Sequence, residues 1–389
     1  MDVNNYIEPV KPNWISYPGI SDDETVGKQI GWFDGTADWL RNEKFDIAIL
    51  GVPEVRNSLR SVSDRAPDLI RRWLYGMRAV SSGERIADLG NVKGNSLNDR
   101  YFAVNEVVTY LEQRGVVVLV LGGSQDLTVP ICGFCLKKER GLNLAVVDAF
   151  IDVHPRNEDY SESAFLNKLV ADFGAKNIED INILGCQTYY CSEEQEQFLA
   201  NNHFRLVRLK DLRDEKIGSV EVLLRQTEVV SFDFSAIKAQ PVLPEENSMP
   251  NGFSEQEACR IFWYVGASDG LKIAGLFNFP PPKKDGSNQG PLAAQMCWHF
   301  LEGRSARSGD YPVRPIHDYE LKVVYIDEFD TTLKFFHNPE NNRWWIMAPS
   351  EGGERLVSCE ETDYQTAINK ELPALWWHYF IKNKENGNK

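Results

Sequence analysis

The chain has 389 residues, and its 42 Lys and Arg against 57 Asp and Glu give a formal net charge of −15. This balance argues against nucleic acid as a partner, because neutralising phosphates takes clustered Lys and Arg. The hydrophobic fraction of 42% predicts a sizeable core and argues against a disordered chain.

Between residues 45 and 303, short apolar runs alternate with segments that have the period of a helix. Continuous apolar runs are typical of parallel strands that are covered on both faces of a sheet. We predict strands at Phe45–Leu50, Val116–Leu121, Leu144–Val147, Ile181–Leu184, Val229–Phe232 and Ile273–Phe277.

Helices are predicted between these strands. Pro67 suits a first helical turn, Gly115 suits the position after a helix, and Ser254 with Glu257 forms a capping-box signature. We predict helices from Pro67 to Leu74, over Asn98–Arg114, from Ser254 onward and over Gln289–Leu301. Alternating strands and helices predict an α/β fold, a three-layer α/β/α domain with a mainly parallel sheet over residues 1–310.

After Gly303 the pattern changes, and residues 311–389 are predicted to form a C-terminal extension. Predicted strands at Leu321–Ile326, Thr332–Phe336 and Arg343–Met347 indicate an antiparallel hairpin, and a helical segment over Asp363–Lys382 is interrupted at Pro373. The extension is rich in Trp: Trp344, Trp345, Trp376 and Trp377. We expect at least half of these to pack back on the core of the large domain, and the others could contact a protein partner.

Targeting and cysteine patterns favour a cytoplasmic protein. No run approaches the roughly 18 apolar residues of a membrane helix, and the N-terminus lacks the pattern of a signal peptide, so we expect no membrane insertion. Seven scattered cysteines favour reduced thiols. We interpret the CxxC pair of Cys132 and Cys135 as two small buried side chains on one helix face.

Polar side chains follow the predicted strands, at the edge of the sheet where ligands bind in such folds. They are Ser124-Gln125-Asp126, the stretch from Asp148 to His154, Asp233-Phe234-Ser235, and Asn278. These stretches resemble the motifs GGDHS, DAHxD and SFDxDxxDP of the ureohydrolase superfamily, which comprises arginases, agmatinases and formimidoylglutamases. Gly51-Val52-Pro53 and Ala66–Arg71 also fit, and Phe165-Leu166-Asn167 favours a formimidoylglutamase-like member.

The resemblance implies an arginase-like fold, a homo-oligomer, and two Mn²⁺ ions held by six ligands. Three ligand positions are retained as Asp148, Asp152 and Asp233. The other three are changed to Gln125, Phe150 and Ser235. In a binuclear hydrolase two cations bridge a water and deprotonate it at neutral pH. An amide, a phenyl ring and a hydroxyl replace the lost imidazoles and carboxylate poorly as ligands.

Three carboxylates are thus predicted to converge at one edge of the sheet. They could hold one cation together with His154, take up a proton, or accept hydrogen bonds from Gln125 and Ser235 without a metal. We favour the last arrangement and expect no cofactor, with Mn²⁺ as the metal if the site still functions.

Three functions remain open. The first is a non-catalytic pseudoenzyme used for binding or assembly, and the second is an active hydrolase of an amidine or guanidine C–N bond with a rebuilt metal site. The third and weakest is a small-molecule sensor. We favour the first because half of the metal ligands are changed.

Overall fold

A ten-stranded sheet forms the centre of the protein. The computed structural model describes the chain except residues 1, 12, 137–140, 155–159, 175–176, 239–248, 284–288, 351–352 and 387–389. The strands are β1 (Ile7–Glu8), β2 (Gly31–Trp32), β3 (Ile47–Gly51), β4 (Ile86–Val92), β5 (Val117–Leu121), β6 (Leu142–Val147), β7 (Ile178–Cys186), β8 (Arg205–Arg208), β9 (Val229–Asp233) and β10 (Ile273–Phe277). Their order is β1-β4-β3-β5-β10-β9-β6-β7-β8, with β2 beside β4. Only β1 runs antiparallel to its neighbour, so the predicted mainly parallel sheet is confirmed.

Helices cover both faces of this sheet. They are α1 (Val26–Gln29), α2 (Ala37–Asn42), α3 (Ala66–Leu74), α4 (Leu97–Gln113), α5 (Thr128–Leu136), α6 (Phe165–Phe173), α7 (Glu193–Asn201), α8 (Ser219–Leu224), α9 (Glu255–Ala267) and α10 (Gly290–Gly303). Buried side chains of α3, α8, α9 and α10 form one apolar cluster, and those of α4, α5 and α6 form another. The three-layer α/β/α arrangement and all four predicted helices are therefore confirmed. None of the described helices combines the length and the apolar character that a membrane crossing requires.

Strand β4 was not predicted, because it contains a charged residue. Asp88 is almost fully buried in it, which is costly for a carboxylate unless a partner neutralises it. Arg71 of α3 is that partner, with its Nε 2.8 Å and its Nη2 3.0 Å from the two Asp88 oxygens. This fork-shaped ion pair allows a strand that contains a carboxylate to be buried in the sheet.

The C-terminal extension forms a separate four-stranded antiparallel sheet. Its elements are β11 (Glu320–Ile326), β12 (Thr331–Asn338), β13 (Arg343–Ser350), β14 (Gly353–Cys359), α11 (Glu361–Ile368) and α12 (Ala374–Asn386). The predicted hairpin corresponds to β12 and β13, and the predicted helical segment is divided into two helices before and after Pro373. Strand β14 was missed, and it pairs along its whole length with β13.

Buried ion pairs hold the extension against the large domain. Arg225 donates to the carbonyl oxygen of Trp344 at 2.9 Å and lies over the ring of Trp345. Asp180 of β7 accepts from Arg355 at 2.9 Å and from Tyr379 at 3.0 Å. Three of the four tryptophans are buried, Trp344 and Trp376 within the apolar cluster of the extension itself, and Trp377 is 43% exposed.

Candidate functional site

Neighbouring strands bring the predicted carboxylates together. Asp148 and Asp152 follow β6, Asp233 ends β9, and Gln125 begins the turn after β5. Strands β5, β10, β9 and β6 are adjacent in the sheet, and their carboxyl ends lie at one edge. All four side chains are buried, with at most 4% of any of them exposed. The convergence expected from the sequence is therefore present.

The Gln125 side chain lies at the centre of this group. One terminal atom of its amide is 2.8 Å from Asp148 Oδ2, 2.9 Å from Asp233 Oδ2 and 3.1 Å from Asp152 Oδ2. Only the NH₂ end of an amide can face three acceptors, so the nitrogen points at the carboxylates and the oxygen accepts from Ser231 at 3.2 Å. The amide nitrogen thus lies between the three carboxylates, where a cation bound by all three would lie.

Ser235 and Asn278 satisfy further carboxylate oxygens. Ser235 Oγ donates to Asp148 Oδ1 at 2.9 Å, and its backbone N–H donates to Asp233 Oδ1 at 2.6 Å. Asn278 Nδ2 donates to Asp233 Oδ2 at 2.6 Å, while its own oxygen accepts from the backbone N–H of Gln125 at 3.1 Å. Gln125 and Ser235, two of the three positions at which the sequence departs from the ligand motifs it resembles, are therefore hydrogen-bonded to the carboxylates.

Arg60, in the loop after β3, places a positive charge next to the carboxylates. The Arg60 guanidinium has its Nη1 3.5 Å from Asp233 Oδ2, and it stacks over the ring of Phe150 at 4.4 Å. Tyr190 packs against the same phenyl ring, with 5.1 Å between the ring centroids. Phe150, which replaces a histidine of the family motif, therefore supports an arginine of the same chain.

Glu162 fixes the loop that carries Arg60. Its Oε1 accepts from the backbone N–H groups of Leu59 and Arg60, both at 3.0 Å, and lies 4.0 Å from Arg60 Nε. The Glu162 side chain is 1% exposed, so this anchor is shielded from water. The arginine is consequently held toward the carboxylates and not left free at the surface.

Burial controls the protonation of the three aspartates. It raises the pKa of Asp152 and of Asp233 to about 7, against the opposing effect of Arg60. Burial, and next the neighbouring Asp152, raises the pKa of Asp148 well above its ordinary value. The contact between Asp148 and Asp152 further raises the pKa of Asp148 and lowers that of Asp152. Three hydrogen-bond donors, Gln125, Ser235 and Asn278, together with Arg60 thus offset the clustered charge.

These raised pKa values predict an unusual pH dependence of the metal-free protein. The unfolded aspartates have a pKa of about 3.9, so between that pH and 7 the folded state binds more protons than the unfolded state. The contribution of these groups to stability is therefore greatest at low pH and falls as the pH rises toward 7. Urea unfolding at pH 5.5 to 7.5 in the presence of a chelator checks this. In the double variant Asp152→Asn and Asp233→Asn, the free energy of unfolding should fall less steeply as the pH rises. The exposed control Asp64→Asn should show the same pH dependence as the wild type.

The arrangement fits a pair of manganese ions poorly. Gln125 directs N–H groups, which have no lone pair for a metal, into the space between the carboxylates, and Phe150 offers no ligand atom. Within the described part of the chain, no group of three or more His, Cys, Asp or Glu side chains is arranged to hold a metal. His154 is exposed, and its backbone N–H donates to Asn167 at 2.8 Å.

Sequence reasoning missed Arg60 and Glu162. Neither belongs to a family motif, and Glu162 lies 102 residues from the amide of Arg60 that it binds. The available signal was topological: the loop after β3 leaves the sheet beside β5, at the edge that carries Gln125. A search of every loop at that edge for cations would have included Arg60.

The large domain is similar in sequence to known proteins. The sequence profile of the arginase family matches residues 45–302. The mitochondrial guanidino acid hydrolase of Mus musculus is 26% identical over 282 residues, covering 67% of this chain and 77% of that protein. The guanidinobutyrase of Pseudomonas aeruginosa is 23% identical over 286 residues, covering 67% and 86%.

Two solved structures share the fold. The formiminoglutamase of Trypanosoma cruzi with Mn²⁺ superposes with a TM-score of 0.60 at 20% identity, covering 68% of this chain and 94% of that one. The formimidoylglutamase of Bacillus subtilis superposes with a TM-score of 0.62 at 17% identity, covering 76% and 97%.

Proposed function

This chain belongs to the arginase family, and we propose that it is a non-catalytic member, a pseudoenzyme used for binding or assembly. The observation that carries this proposal is the Gln125 amide, whose nitrogen lies within 3.1 Å of all three retained carboxylates. In this proposal the side chains of the protein itself take over the charge balance that bound cations would provide.

The chemistry of guanidine hydrolysis supports the proposal. A two-metal site activates water because two cations share and deprotonate it at neutral pH. Here the amide of Gln125, the hydroxyl of Ser235 and the guanidinium of Arg60 contact the remaining carboxylates. None of these groups is a Lewis acid that could lower the pKa of a water in this way.

An active hydrolase with a rebuilt metal site is the competing function. It would use Asp148, Asp152 and Asp233 with His154, and Mn²⁺ is the metal to test because a structural neighbour was crystallised with it. The names of the relatives indicate guanidino acids as the substrate class. This function would need Gln125 and Arg60 to leave the carboxylates.

The extension supports a role in binding or assembly. Strand β11 pairs on one side with β12, and it exposes Leu321, Val323 and Tyr325 on one face. Apolar rows on an edge strand favour association with another chain. We include self-association and a cytoplasmic location in the proposal, and light scattering of the purified protein measures the first.

Metal analysis with turnover assays tests the proposed function. The protein should carry no stoichiometric Mn²⁺ after dialysis against it, and should release no urea or formamide from arginine, agmatine, guanidinobutyrate or formimidoylglutamate. The Bacillus subtilis formimidoylglutamase, assayed in the same buffers, verifies that the assay detects product. Tight stoichiometric Mn²⁺ together with product release would refute the pseudoenzyme.

A further inference from the structure

Two cysteines lie in contact next to the candidate site. Cys186 is the last residue of β7, and a short turn over Thr188–Tyr190 brings Cys191 back to it. The two sulfur atoms are 2.6 Å apart. Backbone hydrogen bonds from Tyr190 to Gln187 at 2.9 Å and from Cys191 to Thr188 at 3.2 Å fix this turn. The fold itself, not a chance rotamer, therefore brings the two thiols together.

The two thiols have different environments. Cys186 is fully buried, whereas Cys191 is partly exposed and can be reached from solvent. The two thiols are hydrogen-bonded to each other, and the Cys191 thiol also donates to the carbonyl oxygen of Gln187 at 3.4 Å. Arg208, whose Nη1 is 3.9 Å from Cys186 Sγ, adds positive charge. The hydrogen bond from Cys186 and then the charge of Arg208 lower the pKa of Cys191 below its ordinary value. A partly exposed thiol with a lowered pKa, hydrogen-bonded to a second thiol that lies beside a guanidinium, is a setting for a reactive cysteine.

Other cysteines of the chain lack this combination. Cys132 and Cys297 are fully buried, and burial raises the pKa of each thiol. Such thiols react slowly, because the thiolate is the nucleophile and water-borne reagents do not reach them. We therefore expect an oxidant to react with Cys191 before it reacts with the buried thiols.

We propose that Cys186 and Cys191 form an oxidation site that takes a peroxide as its oxidant and closes to an intramolecular disulfide. The Cys191 thiolate attacks one oxygen of hydrogen peroxide, which breaks the O–O bond and gives a sulfenic acid and hydroxide. The Cys186 sulfur then displaces the sulfenic oxygen as water while the S–S bond forms. Two thiols lose two hydrogens in total, and one peroxide is reduced to two waters.

The inference is independent of the proposed function, because none of its steps uses the carboxylates. The proposed disulfide would nevertheless lie near the carboxylates, because Tyr190, which lies between the two cysteines in sequence, packs on Phe150. The disulfide would therefore form in the loop whose Tyr190 supports the Phe150 ring, over which Arg60 stacks.

Thiol labelling tests the proposal on the full-length protein. After treatment with hydrogen peroxide and denaturation, the wild type should take up two fewer maleimide labels per chain than the reduced protein, in which all seven cysteines react. Dithiothreitol should restore the two labels. Cys191→Ser should show no such loss, and the control Cys259→Ser should lose two labels as the wild type does.

Peptide mapping identifies the bond. Chymotrypsin cleaves after Tyr189 and Tyr190, between the two cysteines, so a disulfide should hold two chymotryptic fragments together until it is reduced. Separate fragments with Cys186 alkylated, or a sulfinic acid on Cys191 with no linked fragments, would overturn the proposal. Linked fragments that contain any other pair of cysteines would overturn it as well.

Discussion

Replacing Arg60 by alanine is expected to destabilise the metal-free protein by about 3 kcal/mol, the low end of the range for removing one partner of a buried ion pair. The low end applies because the Arg60 side chain is 24% exposed while Asp233 is fully buried. The variant leaves Asp233 facing Asp148 and Asp152 with no cation, and it removes the guanidinium from the Phe150 ring. Urea unfolding at neutral pH in a chelating buffer measures the change.

The same variant offers a direct test of what Arg60 replaces. Free guanidinium ion at millimolar concentration should enter the vacated space and raise the melting temperature of Arg60→Ala, since a ligand that binds only the folded state stabilises it. Wild type should not respond, and sodium chloride at equal ionic strength should not substitute. The exposed Arg65→Ala in the same loop is the matched control. Equal responses of both variants to guanidinium would contradict the role assigned to Arg60.

Restoring the family ligands is expected to create manganese binding. The triple variant Gln125→His, Phe150→His and Ser235→Asp should bind Mn²⁺ at least about 100-fold more tightly than wild type, because outer-shell partners alone change metal affinity by 10–100-fold. The three changes remove the central amide, supply two imidazoles and add a carboxylate beside Asp148. Isothermal titration calorimetry with elemental analysis gives both affinity and stoichiometry.

Arg60 should limit this gain, because its guanidinium pairs with Asp233 and would repel a cation. Adding Arg60→Ala to the triple variant should therefore tighten Mn²⁺ binding further. A control with the same residue types placed on separate helices, Gln256→His, Phe102→His and Ser219→Asp, should bind no better than wild type. Failure of both designed variants to bind Mn²⁺ would mean that Asp148, Asp152 and Asp233 no longer have the geometry of metal ligands.

Much of the fold could be predicted from sequence, because its central strands are continuous apolar runs. Besides the two-residue strands β1 and β2, three strands were missed, and they break this pattern. Strand β4 contains Asp88, which Arg71 neutralises from a different element, and β8 is a partly exposed edge strand with two arginines. Strand β14 begins at Gly353 with Glu354 and Arg355 and becomes buried only beyond them. In each case a distant partner or an edge position, invisible in a short window, stabilises the strand.

The candidate site likewise contains residues that the sequence predicts and residues that it does not. Asp148, Asp152, Asp233, Gln125 and Ser235 could be located because parallel strands that end at one edge bring their following residues together. The contributions of Arg60 and Glu162 depend on the path of a loop over another part of the chain. Charge satisfaction in a buried cluster is a property of three-dimensional contacts, and no spacing rule encodes it.

The anchoring of the Arg60 loop by Glu162 also bears on the order of folding. The contacts of Arg60 with Glu162 and Asp233 close loops of 102 and 173 residues, so they form only after most of the sheet is assembled. Until then the carboxylates remain hydrated. Interactions that form late act on the rate of unfolding far more than on the rate of folding. We therefore expect the loss of Arg60 to speed unfolding more than it slows folding.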